Sequence, residues 1–258
     1  MKPRPTRRYA AFTDEFEKGG DPAYTLPKGY RWTRTDLLSR ILSGLIYGAA
    51  ILFSSVYCGV FLRLRVRGRE KLKGQRGFFL YGNHTQPVGD VFTPALCVLP
   101  RRIYTIVSPA NFSLPGIGPI LPYLGALPTA ADLRGIRALE AAVDLRLGQG
   151  HPIVVYPEAH VWEYYTGIRP FPATAFKMAV KREAPSFAMT VTYRQSGLRK
   201  RPLMEVFLDG PFYGRGESPR QRADDLCAQV RAAMEMRSRN SDCEWIRYER
   251  ADDVDSHT

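Results

Sequence analysis

The sequence is short of the residues that carry metal and disulfide chemistry. Its 258 residues include four cysteines and four histidines. Cys58, Cys97, Cys227 and Cys243 stand far apart, with no Cys-x-x-Cys pair, and no His-x-x-x-His spacing occurs. This argues against a zinc site and a disulfide framework. No metal or cofactor is expected, and the expected setting is reduced and intracellular. No apolar stretch follows the basic start Met1-Lys2-Pro3-Arg4-Pro5-Thr6-Arg7-Arg8 at signal-peptide distance, which argues against secretion. A Gly-x-Ser-x-Gly elbow is also missing, so no hydrolase-type serine nucleophile is indicated. Acidic residues are scarce: 25 Asp and Glu against 37 Lys and Arg leave a net charge of +12. That balance favours anionic partners such as nucleic acid, an anionic membrane surface or phosphorylated substrates. No nucleic-acid recognition motif accompanies it, so nucleic acid is not expected as a partner.

One stretch lacks charge altogether. Ile41 to Leu62 is bracketed by Arg40 and Arg63 and is long enough to cross a bilayer core of about 30 Å. Serines and glycines dilute it, while Tyr47 and Tyr57 suit an interface. A buried core helix, a spanning helix and a helix lying in the interface are all consistent with this composition. We read 36–64 as a membrane anchor that keeps the following domain on the cytoplasmic face. The dense basic run from Arg63 to Arg76 reads as a solvated face or a contact with anionic headgroups. Residues 1–35, rich in Pro, Gly and charge, read as a loosely ordered basic arm.

From Arg65 the pattern alternates short apolar runs with helical periodicity. The expected fold is α/β, a mixed and mostly parallel sheet flanked by helices, over 65–215. Strands are expected at Gly77–Tyr81, Ile103–Val107, Gly125–Pro128, Pro152–Val155, Phe187–Thr192 and Met204–Leu208. Val91 to Leu99 and Ala173 to Lys181 read as helices. Asp132 caps a helix to Leu147, with Leu133, Ile136, Leu139, Val143 and Leu147 on one face. Ser218-Pro219-Arg220-Gln221 is a capping box opening an amphipathic helix to about Arg237, inside a C-terminal region 216–258.

Two motifs sit at strand ends, where open α/β sheets place their ligand crevice. The first is Asn83-His84-Thr85-Gln86-Pro87-Val88-Gly89-Asp90, the second Tyr156-Pro157-Glu158-Ala159-His160. Histidine, with an unperturbed pKa of about 6.5, can take and return a proton near neutrality. A carboxylate on its other nitrogen fixes the tautomer, so His84 and Asp90 form a candidate proton-transfer pair. Glu158 is placed to bind an acceptor hydroxyl or to pair with an arginine. His160 reads as a second base, a phosphate donor or a packing residue. Trp162, Tyr164 and Tyr165 suit an acyl groove or local packing. Arg101, Arg102, Arg134, Arg169 and Lys177 are candidate phosphate contacts.

Together these motifs resemble the glycerolipid acyltransferases, the family of 1-acylglycerol-3-phosphate acyltransferase. The resemblance runs from about Val66 to Phe212 and rests on Asn83-His84 followed by Asp90, then Tyr156-Pro157-Glu158 about 70 residues on. It includes Val66-Arg67-Gly68-Arg69-Glu70-Lys71-Leu72 and Arg169-Pro170-Phe171 through Phe176-Lys177. It implies a membrane-associated enzyme that moves an acyl chain from acyl-CoA or acyl carrier protein to the hydroxyl of a lysophospholipid or related lipid alcohol. His84 and Asp90 are then catalytic, and Asn83, Tyr156, Pro157, Glu158, His160, Arg169, Lys177 and Arg134 bind substrate. Five residues separate His84 from Asp90 where the family has four. Ala159-His160-Val161 stands where the family has Gly-Thr-Arg. Ala131 occupies the place of a further arginine, with Arg134 the nearest. The altered motifs also keep open a lipid-binding protein without turnover, or a thioesterase. Direct attack on a thioester needs no enzyme nucleophile, but it does need donors for the oxyanion. The backbone amides of 83–86 or 159–160 are the expected source.

Overall fold

The computed structural model describes residues 5–17, 19–197 and 201–251. The first four residues of the arm and the tail beyond 251 lie outside the described residues. In chain order the elements are β1 (Thr6–Tyr9), α1 (Leu37–Val56), β2 (Arg65–Arg67), β3 (Phe79–Gly82), α2 (Gly89–Val98), β4 (Tyr104–Val107), α3 (Leu121–Leu124) and β5 (Ala126–Pro128). Then follow α4 (Leu133–Gly148), β6 (Ile153–Val155), α5 (Lys177–Lys181), β7 (Ser186–Arg194), β8 (Leu203–Phe212), α6 (Pro219–Ser238) and β9 (Arg247–Arg250).

Seven strands form one mixed sheet in the order β2-β8-β7-β3-β6-β4-β5. Every pairing is parallel except β7 with β8. The carboxyl ends of β3, β4, β5, β6 and β7 therefore share one edge of the sheet, and both motifs leave from it. Side-chain alternation sets the two layers. Phe78 and Leu80 point with Val154, Phe187, Met189 and Val191 into the core beneath α1 and α2. Phe79 and Tyr81 point with Ile153, Val155 and Ala188 into the core beneath α4, α5 and α6. Helix α6 buries Leu226, Val230 and Met234 on the second layer, and its Ser218–Gln221 capping box is formed. Helix α4 departs in part from the expected face. Asp132 caps it through Gly135 N and Leu139 and Val143 are buried as expected, but Leu133 and Ile136 are exposed, and Gly135 and Ala142 complete the buried face.

Two differences from the sequence reading stand out. The arm is packed, not loose. Its β1 pairs in parallel with β9, and Tyr9, Phe12 and Phe16 gather around the fully buried Trp162. Aromatic area buried between distant segments outweighs the local Pro and Gly content. Part of the basic run after Arg63 is also tied into the fold, although Arg65, Arg67, Arg69, Lys73 and Arg76 are exposed as a solvated face would be. Arg67 pairs with Glu205, Arg69 donates to Leu96 O, and Lys71 pairs with Asp209 at 2.6 Å.

Helix α1 continues through a π-helical turn, so Leu37–Phe61 is long and apolar enough to cross a membrane. Only 11% of its most apolar stretch is buried, which removes the core-helix reading. The helix nevertheless lies along the α/β body. Ser43 donates to Tyr123 O at 2.7 Å, Tyr47 Oη accepts from Ile103 N, Phe53 meets Phe92 edge-on, and Cys58 is fully buried. These contacts span four turns. The opposite stripe, Leu38, Ile41, Leu45, Leu52, Val56 and Val60, is exposed.

Candidate active site

His84 lies two residues past Gly82, the last residue of β3, and Asp90 lies in the first turn of α2. The extra residue between them is absorbed by a turn at Pro87-Val88 before the helix begins. His84 Nδ1 lies 2.8 Å from Asp90 Oδ2, with the imidazole side chain 20% exposed and the carboxylate 2%. The same Oδ2 accepts from the amides of Thr85 and Gln86, each at 2.8 Å. An oxygen that accepts two N–H groups is an acceptor for the third contact too, so Nδ1 carries the proton and Nε2 presents its lone pair. Asp90 Oδ1 is buried without a partner among the described residues.

Tyr156, at the end of β6, stacks on the His84 ring at 4.3 Å and donates to Asp90 O at 2.6 Å. Burial and the nearby Asp90 push its pKa well above the ordinary phenol value, so it stays a donor. Tyr193 on β7 is raised by the same two causes. Its hydroxyl lies 2.8 Å from Thr85 Oγ1 and accepts from Gln86 Nε2 at 2.9 Å, holding the loop that holds Asp90. Tyr193 escaped the sequence reading because nothing local links β7 to residue 85; only the strand order does.

Several candidate residues have structural work instead of open positions. Asn83 is buried; its side-chain amide donates to Val191 O at 3.0 Å and accepts from Val191 N at 2.7 Å. It thereby continues the β3–β7 ladder past the end of β3, with its side-chain amide paired to the backbone. Glu158 is buried and pairs with Arg169, of which neither side chain is exposed. Its carboxylate accepts from Arg169 N, Nε and Nη2 and from His84 N. Burial lifts the Glu158 pKa above the ordinary carboxylate value, and the Arg169 charge with the amides of His84 and Arg169 limits the rise. The open choice for Glu158 thus resolves to the arginine, and Arg169 is not free for a phosphate. Arg169 also donates to His160 O and lies 4.9 Å over the Trp162 ring. Pro157 is buried, and Trp162 packs instead of lining a groove. His160 remains partly exposed, with Nδ1 3.8 Å from Glu15 Oε1. Ala159 sits at φ 66°, the left-handed region that favours glycine, so the turn keeps a glycine-like shape without the glycine.

Arg134 and Lys177 stand apart. Arg134 is exposed in the first turn of α4, after the edge strand β5, three strand spacings or about 14 Å from β3. Lys177 is exposed at the start of α5. Among the described residues neither bonds to the His84 cluster. Most of the expected oxyanion donors are also taken. The amides of His84, Thr85, Gln86, Ala159 and His160 all have protein acceptors. No cluster of metal-ligating side chains occurs among the described residues. Beside the 86–88 loop a cavity of about 210 Å³ reaches Tyr57 at the end of α1 and is lined by Glu163, Tyr164, Arg201 and Trp245.

Comparison with known families decides the assignment. The family model described as Acyltransferase matches residues 63–212, more than half of the chain. The chain belongs to the acyltransferase family. Its fold is similar to the crystal structure of the 1-acyl-sn-glycerophosphate (LPA) acyltransferase PlsC from Thermotoga maritima. The TM-score is 0.57 at 16% identity, covering 82% of this chain and 86% of that one. Comparison with curated proteins gave no match. The acyltransferase match begins where α1 ends and takes in both motifs.

Proposed function

We propose that this acyltransferase works at a membrane surface, moving a fatty acyl chain from acyl-CoA or acyl carrier protein to a lysophospholipid hydroxyl. The acceptor is 1-acylglycerol-3-phosphate or a related lipid alcohol, and His84 is the general base. The observation that carries this is the 2.8 Å contact between His84 Nδ1 and Asp90 Oδ2 at a strand end, with the imidazole still accessible. His84 Nε2 takes the acceptor hydroxyl proton as its oxygen attacks the thioester carbon. The C–S bond then breaks, and the thiol leaves with the proton from His84. Asp90 stabilises the transient imidazolium.

The exposed stripe of α1 supports the membrane location. It is apolar, exposed and runs along the body, so it suits burial in the plane of the interface with the body held against it. The small cavity between the catalytic loop and the end of α1 offers a lipid headgroup a way in, with Arg201 as the cation among the described residues that line it.

The test is thiol release from palmitoyl-CoA by detergent-solubilised protein, with lysophosphatidic acid and with a panel of non-phosphorylated acceptors. Acceptor-dependent release supports the proposal, and the preferred acceptor identifies the headgroup. Release independent of any acceptor means a thioesterase; no release from either CoA or carrier-protein donors sinks the transfer reading.

A further inference from the structure

A second cavity lies toward the other edge of the sheet. It measures about 470 Å³ and opens between the arm, the start of α1 and edge strand β5. Four arginines line it, Arg34, Arg40, Arg102 and Arg146, together with His151 and Trp32. No carboxylate is among the described residues that line it. Asp36, next in sequence to the lining residue Thr35, caps α1 through Ser39 and pairs with Arg31 at 2.9 Å.

Two of the arginines are held close together. Arg102 and Arg146 both face the Tyr104 ring, at 5.4 and 4.5 Å from its centre. Arg102 Nη2 donates to Ser43 Oγ and Tyr123 O, and Arg146 Nη1 donates to Gln149 Oε1 at 2.9 Å, but the Nε of each is buried without a partner among the described residues. Burial pushes the Arg146 guanidinium below its ordinary pKa, and Arg102 adds to the shift. His151 is lowered by burial and then by Arg146 and Arg102. Like charges crowded around a partly buried cavity raise the free energy of the empty site, and an anion there would relieve it.

Position separates this cavity from the reaction centre. His151 precedes β6, and Tyr104 and Ala126 open β4 and β5. Tyr156, which stacks on His84, is five residues along β6 from His151, or about 16 Å. A phosphate on the acceptor lies only a few bonds from the hydroxyl at His84, so it cannot occupy both places. Thr35, Arg40 and Ser43 line the cavity, and Leu37, Leu38 and Ile41, which lie between them in the chain, are exposed apolar residues at the start of α1.

From this arrangement we infer that the arginine-lined cavity is a second, phosphate-binding site, distinct from the acceptor site. Guanidinium groups recognise phosphate through paired N–H donors, and a cavity of this size admits a phosphate with its attached group. That group is the headgroup of an anionic membrane phospholipid, the phosphates of the acyl donor's CoA, or free phosphate. The inference does not rest on transfer chemistry at His84.

The experiment is calorimetric titration of the full-length, detergent-solubilised protein with dihexanoyl-phosphatidylglycerol, dihexanoyl-phosphatidylcholine, CoA and inorganic phosphate. Wild type, Arg34→Gln/Arg146→Gln and His84→Ala are compared. At least one anionic probe is expected to bind, about tenfold or more weaker in the double variant and unchanged in His84→Ala. Phosphatidylglycerol alone identifies a headgroup site, CoA alone a donor site, and inorganic phosphate alone or competing with both shows that the phosphate suffices. Circular dichroism checks the fold; should the double variant unfold, Arg40→Gln, at an exposed position, replaces it. Absence of binding by every anionic probe, equal binding in the variant, or loss in His84→Ala overturns the inference. Because His84→Ala retains binding while losing turnover, failure here is distinguishable from failure of the transfer reading.

Discussion

The two ends of the sheet handle charge in opposite ways. At the carboxyl ends of β3 and β6 the buried charges are matched: Glu158 accepts four hydrogen bonds, and Asp90 Oδ2 accepts three. At the amino ends of β4 to β6, Arg102 and Arg146 crowd one tyrosine with no carboxylate lining their cavity. Matched charges hold a geometry, because moving either partner strands the other. Unmatched charges cost stability and are retained where a ligand supplies the counter-charge. The first end is therefore built to fix one imidazole, and the second has the character of a receptor.

The sharpest way to break this contrast is at His84. Replacement by Ala is expected to lower acceptor-dependent acyl transfer by roughly 10²- to 10⁴-fold, measured as thiol release. The fold should persist, because the glutamate–arginine pair below it is untouched; a variant with near wild-type turnover would remove His84 as the base. Next in size is Arg169→Met, which leaves Glu158 buried beside its amides alone. Breaking such a pair is expected to cost about 3–5 kcal/mol in denaturant unfolding. A loss under about 1 kcal/mol would show that the backbone donors suffice.

The same class of change at the other end should behave differently. Arg146→Gln removes an uncompensated charge, so unfolding stability should change by less than about 1 kcal/mol, the loss of the Tyr104 stack offsetting relief of repulsion from Arg102. A cost as large as that at Arg169 would mean that the cluster is structural. The smallest effect concerns Asp209, an acid near the amino end of β7 that does find cations. Burial alone would raise it, but hydrogen bonds from Arg237 and Lys71 hold its pKa below the ordinary value. A carboxylate with a depressed folded pKa stabilises above its unfolded value and loses that contribution as pH falls through the folded one. Asp209→Asn should therefore destabilise on the order of 1 kcal/mol at neutral pH, the difference shrinking below about pH 3.9. A difference that persists unchanged in acid would exclude charge as its cause.

The local patterns proved informative wherever one element was decided by its own residues. The capping boxes, the apolar runs of β3 and β6 and the strand-end placement of His84 and Glu158 were readable because hydrophobic periodicity and turn chemistry act over a few residues. The arm was misread because its order comes from Trp162 and β9, more than 140 residues away. Asn83 and Arg169 were taken as substrate contacts because a sequence shows that a polar group is present, not that Val191 or Glu158 already occupies it. The arginine cavity was missed for a related reason: Arg34, Arg102 and Arg146 meet only through the packing of the arm, β4 and α4.

The sequence by itself determined the α/β alternation, the apolar helix and the family, because these follow from periodicity, an uncharged run and short motifs. Tertiary structure alone decided which charges are matched and which are left over. Pairing depends on distances between residues far apart in the chain, and those distances exist only once the strands have been ordered and the helices packed.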